Sequence, residues 1–211
     1  MTHTLHRRAG KDGLSDDFVV LVMAASGINK VHDTADKYKD YLRIFLKHNP
    51  VNIGGMGIGH LYDSTPDKII EMIDTIWPNV PMVHGVFQTR DDLVGALKDI
   101  KKADLGLSVI VSGLAEYADC CAKEAGISRH SINYSLGIWG DTTKLPDERY
   151  LQISSMCGHA MISFNLISEM IENIKSGLIT VDQAAAELGK TCVCGIFNGV
   201  RAKRLLDDFL Q

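Results

Sequence analysis

The chain has 211 residues and a formal net charge of −4, and 45% of its residues are apolar and 23% charged. This composition is typical of a globular protein, and the negative charge argues against a nucleic-acid-binding surface. No apolar run approaches the roughly 20 residues of a membrane span, and residues 1–17 lack the apolar segment of a signal peptide. We therefore expect a soluble, cytoplasmic protein whose five cysteines are thiols or metal ligands rather than disulfides.

Residues 1–17 are polar and show little apolar pattern, which predicts an N-terminal arm that is mobile or lies on the surface. Arg7 and Arg8 could add positive charge to an anionic-ligand site or to a neighbouring subunit. The regular pattern of the chain begins after this arm.

Residues 18–140 alternate between strand-like and helix-like patterns, and this alternation predicts an α/β domain. The run from Phe18 to Ala25 is apolar throughout, which is typical of a strand buried on both faces of a sheet. Strands that alternate with helices indicate right-handed crossovers between parallel strands. We therefore predict a five-stranded, mostly parallel, doubly wound sheet of flavodoxin-like or Rossmann-like type, with strands at 18–25, 51–53, 81–87, 105–111 and 131–136.

Residues 141–211 lose this alternation and predict a helical extension that packs on the sheet. Helices are expected at 145–155, 161–175, 180–188 and 196–210. Thr180 and Gln183 have the spacing of a capping box, which supports a helix start there.

Each predicted strand ends in glycine or small polar residues, and open parallel sheets bind ligands beyond the carboxyl ends of their strands. Gly55, Gly57, Gly59 and Gly137 are therefore candidate cofactor-binding residues, although neither a dinucleotide fingerprint nor a P-loop occurs. His60 and His84 fall near the same predicted edge and are candidate acid–base catalysts.

Three cysteines and one histidine lie in two short runs of the extension. Cys192 and Cys194 are two residues apart, so on an extended segment both would face the same side. Cys157 and His159 would point about 200° apart on an unbroken helix. A shared site therefore requires a helix break near Gly158.

With that break, Cys157, His159, Cys192 and Cys194 form a set that suits tetrahedral zinc. The three cysteines alone could instead hold an iron–sulfur cluster. Without metal, a helix beginning after Gly195 would favour a reactive thiolate, with Cys194 as the candidate nucleophile, and plain core packing is the fourth alternative. Arg201 could reach back to an anionic ligand, or could be an ordinary ion-paired arginine.

The sequence thus predicts an enzyme that acts on a small polar or anionic metabolite in a pocket at the carboxyl ends of the strands. A bound metal, an iron–sulfur cluster or a thiolate would carry the reaction, and His60 or His84 would move protons. The alternative is a non-catalytic metabolite-binding or regulatory subunit with structural cysteines or a structural zinc. Neither alternative needs a nucleic acid or a membrane, and both are compatible with a homo-oligomer.

Overall fold

The computed structural model describes residues 3–9 and 13–211. Residues His3–His6 and Thr142–Lys144 form two short 3-10 helices. The strands and α-helices, in chain order, are β1 Phe18–Met23, α1 Thr34–Leu46, β2 Asn52–Gly55, β3 Gly59–His60, α2 Pro66–Ile76, β4 Met82–Phe87, α3 Arg90–Ala103, β5 Ser108–Ser112, α4 Ala115–Glu124, α5 Glu148–Ser154, α6 Phe164–Lys175, α7 Val181–Lys190 and α8 Gly199–Asp207.

The five strands form one sheet in the order β3-β2-β4-β1-β5, and every neighbouring pair is antiparallel. The predicted mostly parallel, doubly wound sheet is therefore wrong. The strands joined by α1, and likewise those joined by α3, do run in the same direction. Each such pair is separated by a strand of opposite direction, β4 in the first case and β1 in the second, as in a split β-α-β unit. The strand-like and helix-like patterns alternate in the sequence in the same way whether or not a third strand lies between the two strands that a helix joins.

The strand predicted at 131–136 is also wrong, because these residues, all of them described, form no strand. The strand that the sequence did not predict is β3. It is two residues long and makes a hairpin with β2 through the pairs Gly54–His60 and Gly55–Gly59. A strand this short has no apolar periodicity of its own, so nothing in the sequence pattern marks it.

Helices cover both faces of the sheet. On the first face, Phe18, Val20 and Val22 of β1 pack with apolar residues of α1, α2, α3 and α4. On the second face, Val19 and Leu21 pack with apolar residues of α5 to α8. The uninterrupted apolar run of β1 follows from this arrangement, and its predicted burial on both faces is confirmed.

The helices α5 to α8, which lie within residues 141–211, form the layer on the second face. The capping box of α7 is present, with both Thr180 and Gln183 making the expected hydrogen bonds. The last helix, α8, begins at Gly199, three residues later than predicted, because Asn198 caps it by accepting a hydrogen bond from the Arg201 backbone. Among the described helices, none has the length and apolar character needed to cross a membrane.

A buried ion-pair cluster ties the N-terminal segment to this layer. We call Asp17, Arg7, Arg201 and Asn198 the Asp17 cluster. The Asp17 carboxylate is fully buried, forms an ion pair with Arg7, and lies 3.1 Å from Nη1 of Arg201. Its other oxygen accepts a hydrogen bond from Nδ2 of Asn198 at 3.1 Å. The described part of the predicted arm is therefore attached to the protein through Arg7.

Candidate metal centre

The first half of the centre is built by the end of α5. The helix stops at Ser154, and the backbone turns through Gly158, which has φ of 90° and donates a hydrogen bond to the Ser155 carbonyl at 2.7 Å. A φ in this region is easily adopted by glycine and rarely by other residues. The helix break that the sequence required near Gly158 is thus confirmed.

This break brings Cys157 and His159 to the same side of the chain. The distance between Sγ of Cys157 and Nδ1 of His159 is 3.7 Å. Cys157 is buried, whereas the side chain of His159 is exposed. One end of the pair therefore lies in the core and the other at the surface.

The second half of the centre is the turn between α7 and α8. The Gly195 backbone donates to the Cys192 carbonyl at 2.8 Å, which closes a tight turn around Val193. Cys192 and Cys194 both point inward and are buried, and their sulfur atoms lie 3.4 Å apart, while Val193 between them faces solvent. The prediction that both cysteines face the same side is confirmed.

The two halves converge. One ligand atom each from Cys157, His159 and Cys194 lies within 4.8 Å of the other two, so these residues could hold a metal ion. Cys192 joins them through its 3.4 Å contact with Cys194. Four ligands around one zinc ion at about 2.3 Å lie roughly 3.7 Å from one another. We call the four residues the Cys/His cluster.

The thiols of the Cys/His cluster interact strongly. Hydrogen bonds from Cys192 and then Cys194 lower the pKa of Cys157, despite the opposing effect of burial. The hydrogen bond with Cys157 raises the pKa of Cys192, and hydrogen bonds with Cys157 and then Cys192 raise the pKa of Cys194, because these contacts stabilise the protonated thiols. A metal ion bound by these cysteines would displace the thiol protons, since metal ligands must be deprotonated.

His60 and His84 lie beneath the turn that carries Cys194. Both are buried, one on β3 and the other on β4. A Cβ atom on Gly195 would be 2.6 Å from Cβ of His60 and 3.1 Å from Nε2 of His84. The turn can therefore approach the two imidazoles this closely only with glycine at that position.

The environment of His60 favours its neutral form. Burial lowers its pKa, and the nearby Asp63 carboxylate opposes this effect only partly. Nδ1 of His60 accepts a hydrogen bond from the Tyr62 backbone at 3.3 Å, so the ring proton is on Nε2. The predicted catalytic roles of His60, His84 and Cys194 remain predictions, but the structure places all three in one region.

The predicted cofactor-binding residues do not gather in one place. Gly55, Gly57 and Gly59 form the β2–β3 hairpin, whereas Gly137 lies in an exposed segment. Arg201 is buried and paired with Asp17, and its Nη2 donates to the Arg8 carbonyl at 2.8 Å. An antiparallel sheet has no edge made of strand carboxyl ends, so the predicted pocket at such an edge is wrong.

An open surface cavity of about 350 Å³ lies at the loop that follows His159. Ala160, directly after His159, forms part of its wall, and Ser154 and Ser163 supply hydroxyl groups. The remaining lining residues are Ile162, Phe164 and Asn165. A small polar molecule in this cavity would lie next to the loop that carries His159.

Two residues have supporting roles that the sequence did not indicate. Asn52 fixes the chain after the cysteine turn, because its Nδ2 donates to the Phe197 carbonyl at 3.1 Å and its Oδ1 accepts from the Leu61 backbone at 3.0 Å. Asp17 organises the Asp17 cluster, and its one sequence signal is a carboxylate directly before a fully apolar strand. The chain matches no protein-family model, no curated protein and no solved structure.

Proposed function

We propose that the protein is a metal-dependent enzyme whose Cys/His cluster binds one zinc-type ion. The observation that carries this proposal is the convergence of a buried thiolate set from two distant segments with the surface imidazole of His159. The contact distances of 3.4 Å and 3.7 Å are close to the separation of two ligands on one tetrahedral zinc ion. A four-iron cluster fits less well, because each of its thiolates binds a different iron and the sulfurs must lie farther apart.

The burial of the ligands suggests how the ion would work. Cys157, Cys192 and Cys194 would hold it from the core side, and His159 would take the solvent-facing position. Catalytic zinc has three protein ligands and a fourth position that exchanges. A small polar or anionic substrate entering from the neighbouring cavity would displace His159 from the ion. The ion would then polarise the substrate or activate a water molecule.

Metal analysis of anaerobically purified protein tests the first half of this proposal. We expect about one zinc ion per chain, as for a single tetrahedral site. Cys194→Ser should lose the ion, whereas Cys120→Ser, at an exposed cysteine of α4, should retain it. Iron together with visible absorbance would show an iron–sulfur cluster in place of the zinc ion. Protein that contains neither metal and does not take up zinc would refute both the zinc site and the cluster.

A second candidate is a structural zinc in a non-catalytic protein. The observation that favours it is that the cysteines belong to the apolar core between β1, β4 and the C-terminal helices, so an ion would hold α5 and the α7–α8 turn together. In that case all four ligands stay bound, as in closed structural sites.

Replacement of zinc by cobalt separates the two candidates, because the visible spectrum of cobalt reports its ligands. For the enzyme we expect small carboxylates or phosphate to change the spectrum, and His159→Ala to keep the metal. For the structural zinc we expect no spectral change with any anion. Loss of metal in His159→Ala would support the closed site and contradict the exchangeable position.

A further inference from the structure

Residues 131–139 expose a strand-like pattern to solvent. Ile132, Tyr134, Leu136 and Ile138 recur at every second position, and the side chains of Tyr134 and Leu136 are 65% and 87% exposed. Trp139, which follows, is 83% exposed. Alternation with period two would place Ile132, Tyr134 and Leu136 on one face of an extended chain, before the backbone turns at Gly137, which has φ of 92°. This is the pattern of a strand with one buried face, but here that face is exposed.

The backbone of this segment is equally unpartnered. Among the described residues, no backbone–backbone hydrogen bond involves residues 128–139. The hydrogen bonds within the segment come from the side chains of Ser135 and Trp139. These two bonds occupy the Gly137 amide and the Leu136 carbonyl, whereas the backbone groups of residues 131–135 have no backbone partner in the described structure.

The sheet offers an edge of matching character. β5 has one neighbour, β1, and its residues Val109, Ile110 and Val111 are only partly buried. The sequences of residues 108–112 and 131–140 contain no charged residue. Exposed edges are usually protected by charges or proline, and both are missing here, which is typical of an edge that pairs with another strand.

We propose that residues 131–139 of one copy pair with β5 of a second copy, and that the exchange is reciprocal. A reciprocal contact uses one free strand and one free edge from each chain, so two chains satisfy both and form a closed twofold dimer. Pairing would also cover exposed apolar side chains of the segment, among them Tyr134 and Leu136, which are 65% and 87% exposed. The occupant of the β5 edge is therefore a second copy of this chain.

Sedimentation of the full chain over a range of concentrations tests the proposal. We expect a dimer, and we expect Leu136→Asp or Tyr134→Asp to raise its dissociation constant at least about 30-fold, as for central interface residues. Leu178→Asp, at an exposed leucine after α6, is the matched control and should leave the dimer intact. Circular dichroism confirms that each variant is folded. A wild-type monomer at all concentrations, or equal weakening by the control, overturns the proposal.

Hydrogen exchange tests which edge is used. In the dimer, amides of residues 108–112 and 131–139 should both be protected, and Leu136→Asp should remove the protection of both segments. Protection of 131–139 in a monomer would mean that the segment pairs within its own chain, and this overturns the proposal. A dimer in which 131–139 is protected and β5 does not respond to Leu136→Asp also overturns it.

Discussion

The two faces of the sheet differ in chemistry although both are covered by helices. The first face, under α1 to α4, packs almost entirely apolar side chains such as Phe45, Ile73 and Phe87. The second face, under α5 to α8, also buries polar side chains, namely Asn52, His60, His84, Asn198 and Arg201, and it contains the three cysteines of the Cys/His cluster. Polar groups cost free energy to bury unless they are paired, so the stability of this face depends on its pairing interactions as well as on apolar packing.

The largest expected effect on stability comes from a mutation in the Asp17 cluster. Asp17→Asn leaves Arg7 and Arg201 buried without their carboxylate. We expect it to lower the free energy of unfolding by about 3–5 kcal/mol, as when one partner of a buried ion pair is removed. Urea unfolding measures this loss. Asp36→Asn, at an exposed ion pair with Lys39, should cost below about 1 kcal/mol. Equal losses in the two variants would contradict a structural role for the cluster.

Removal of metal should also weaken the second face. If zinc binds at the Cys/His cluster at 100 to 1,000 times its dissociation constant, a chelator should lower the free energy of unfolding by about 3–4 kcal/mol. Thermal unfolding with and without chelator measures the difference. Cys194→Ser should show no response to the chelator, and a response equal to that of the wild type would place the metal elsewhere.

Gly195 tests the contact between the cysteine turn and the two histidines. Gly195→Ala combines a φ of 67° with overlap at His60 and His84, and we expect a loss of about 2–3 kcal/mol. Gly177→Ala is the matched control, because its φ is 74° and a new Cβ would have nothing within 4 Å. It should cost about 1 kcal/mol from backbone strain alone. Urea unfolding measures both, and metal content should fall only for Gly195→Ala.

A mutation on the first face should change the stability of the protein and leave its zinc binding unchanged. Ile73→Val removes one methylene from the apolar core and should lower the free energy of unfolding by about 1 kcal/mol. The zinc content and zinc affinity should equal those of the wild type, measured by metal analysis and competition with a chelator. A change in zinc affinity would show that the two faces are coupled across the sheet.

The smallest expected effect is a pH dependence at Asp16, which pairs with Arg204 of α8. Burial raises the pKa of Asp16, but the hydrogen bond and charge of Arg204 outweigh this and leave the pKa below 3.8. The unfolded carboxylate therefore takes up a proton first. The contribution, about 0.5–1 kcal/mol for a partly exposed pair, is present above pH 3.8 and is lost as the pH falls through the folded pKa.

Comparison of wild type with Asp16→Asn in urea, at neutral pH and at pH 3, measures this contribution. The two curves should differ at neutral pH and approach one another in acid. A difference that persists unchanged at pH 3 would assign the effect to packing rather than to charge.

Local signals predicted much of this molecule. The apolar run of β1 gave its burial on both faces, the capping box gave the start of α7, and Gly158 marked the break that brings Cys157 and His159 together. Each of these depends on a few neighbouring residues. The convergence of Cys157 with Cys192 and Cys194 was expected only as a condition, because nothing local relates the two segments.

Contacts between residues that are distant in sequence could not be predicted. The direction of neighbouring strands depends on whether a third strand inserts between two that are joined by a helix, and no residue of β1 or β2 records this. The pattern of residues 131–136 was that of a strand, but a strand also needs a partner, and in the described structure this segment pairs with no edge of its own sheet. The burial of Asp17 likewise depends on Arg201, which is distant in sequence.

The separation of the two cysteine segments also orders events during synthesis. An ion bound by Cys157 and Cys194 would close a loop that contains α6 and α7, and so act as a removable cross-link that restricts the unfolded chain. The chain is synthesised from its N-terminus. All five strands are complete at Ser112, long before Cys194 is made. An ion that needs Cys194 could therefore be loaded only after every residue of the sheet has been made.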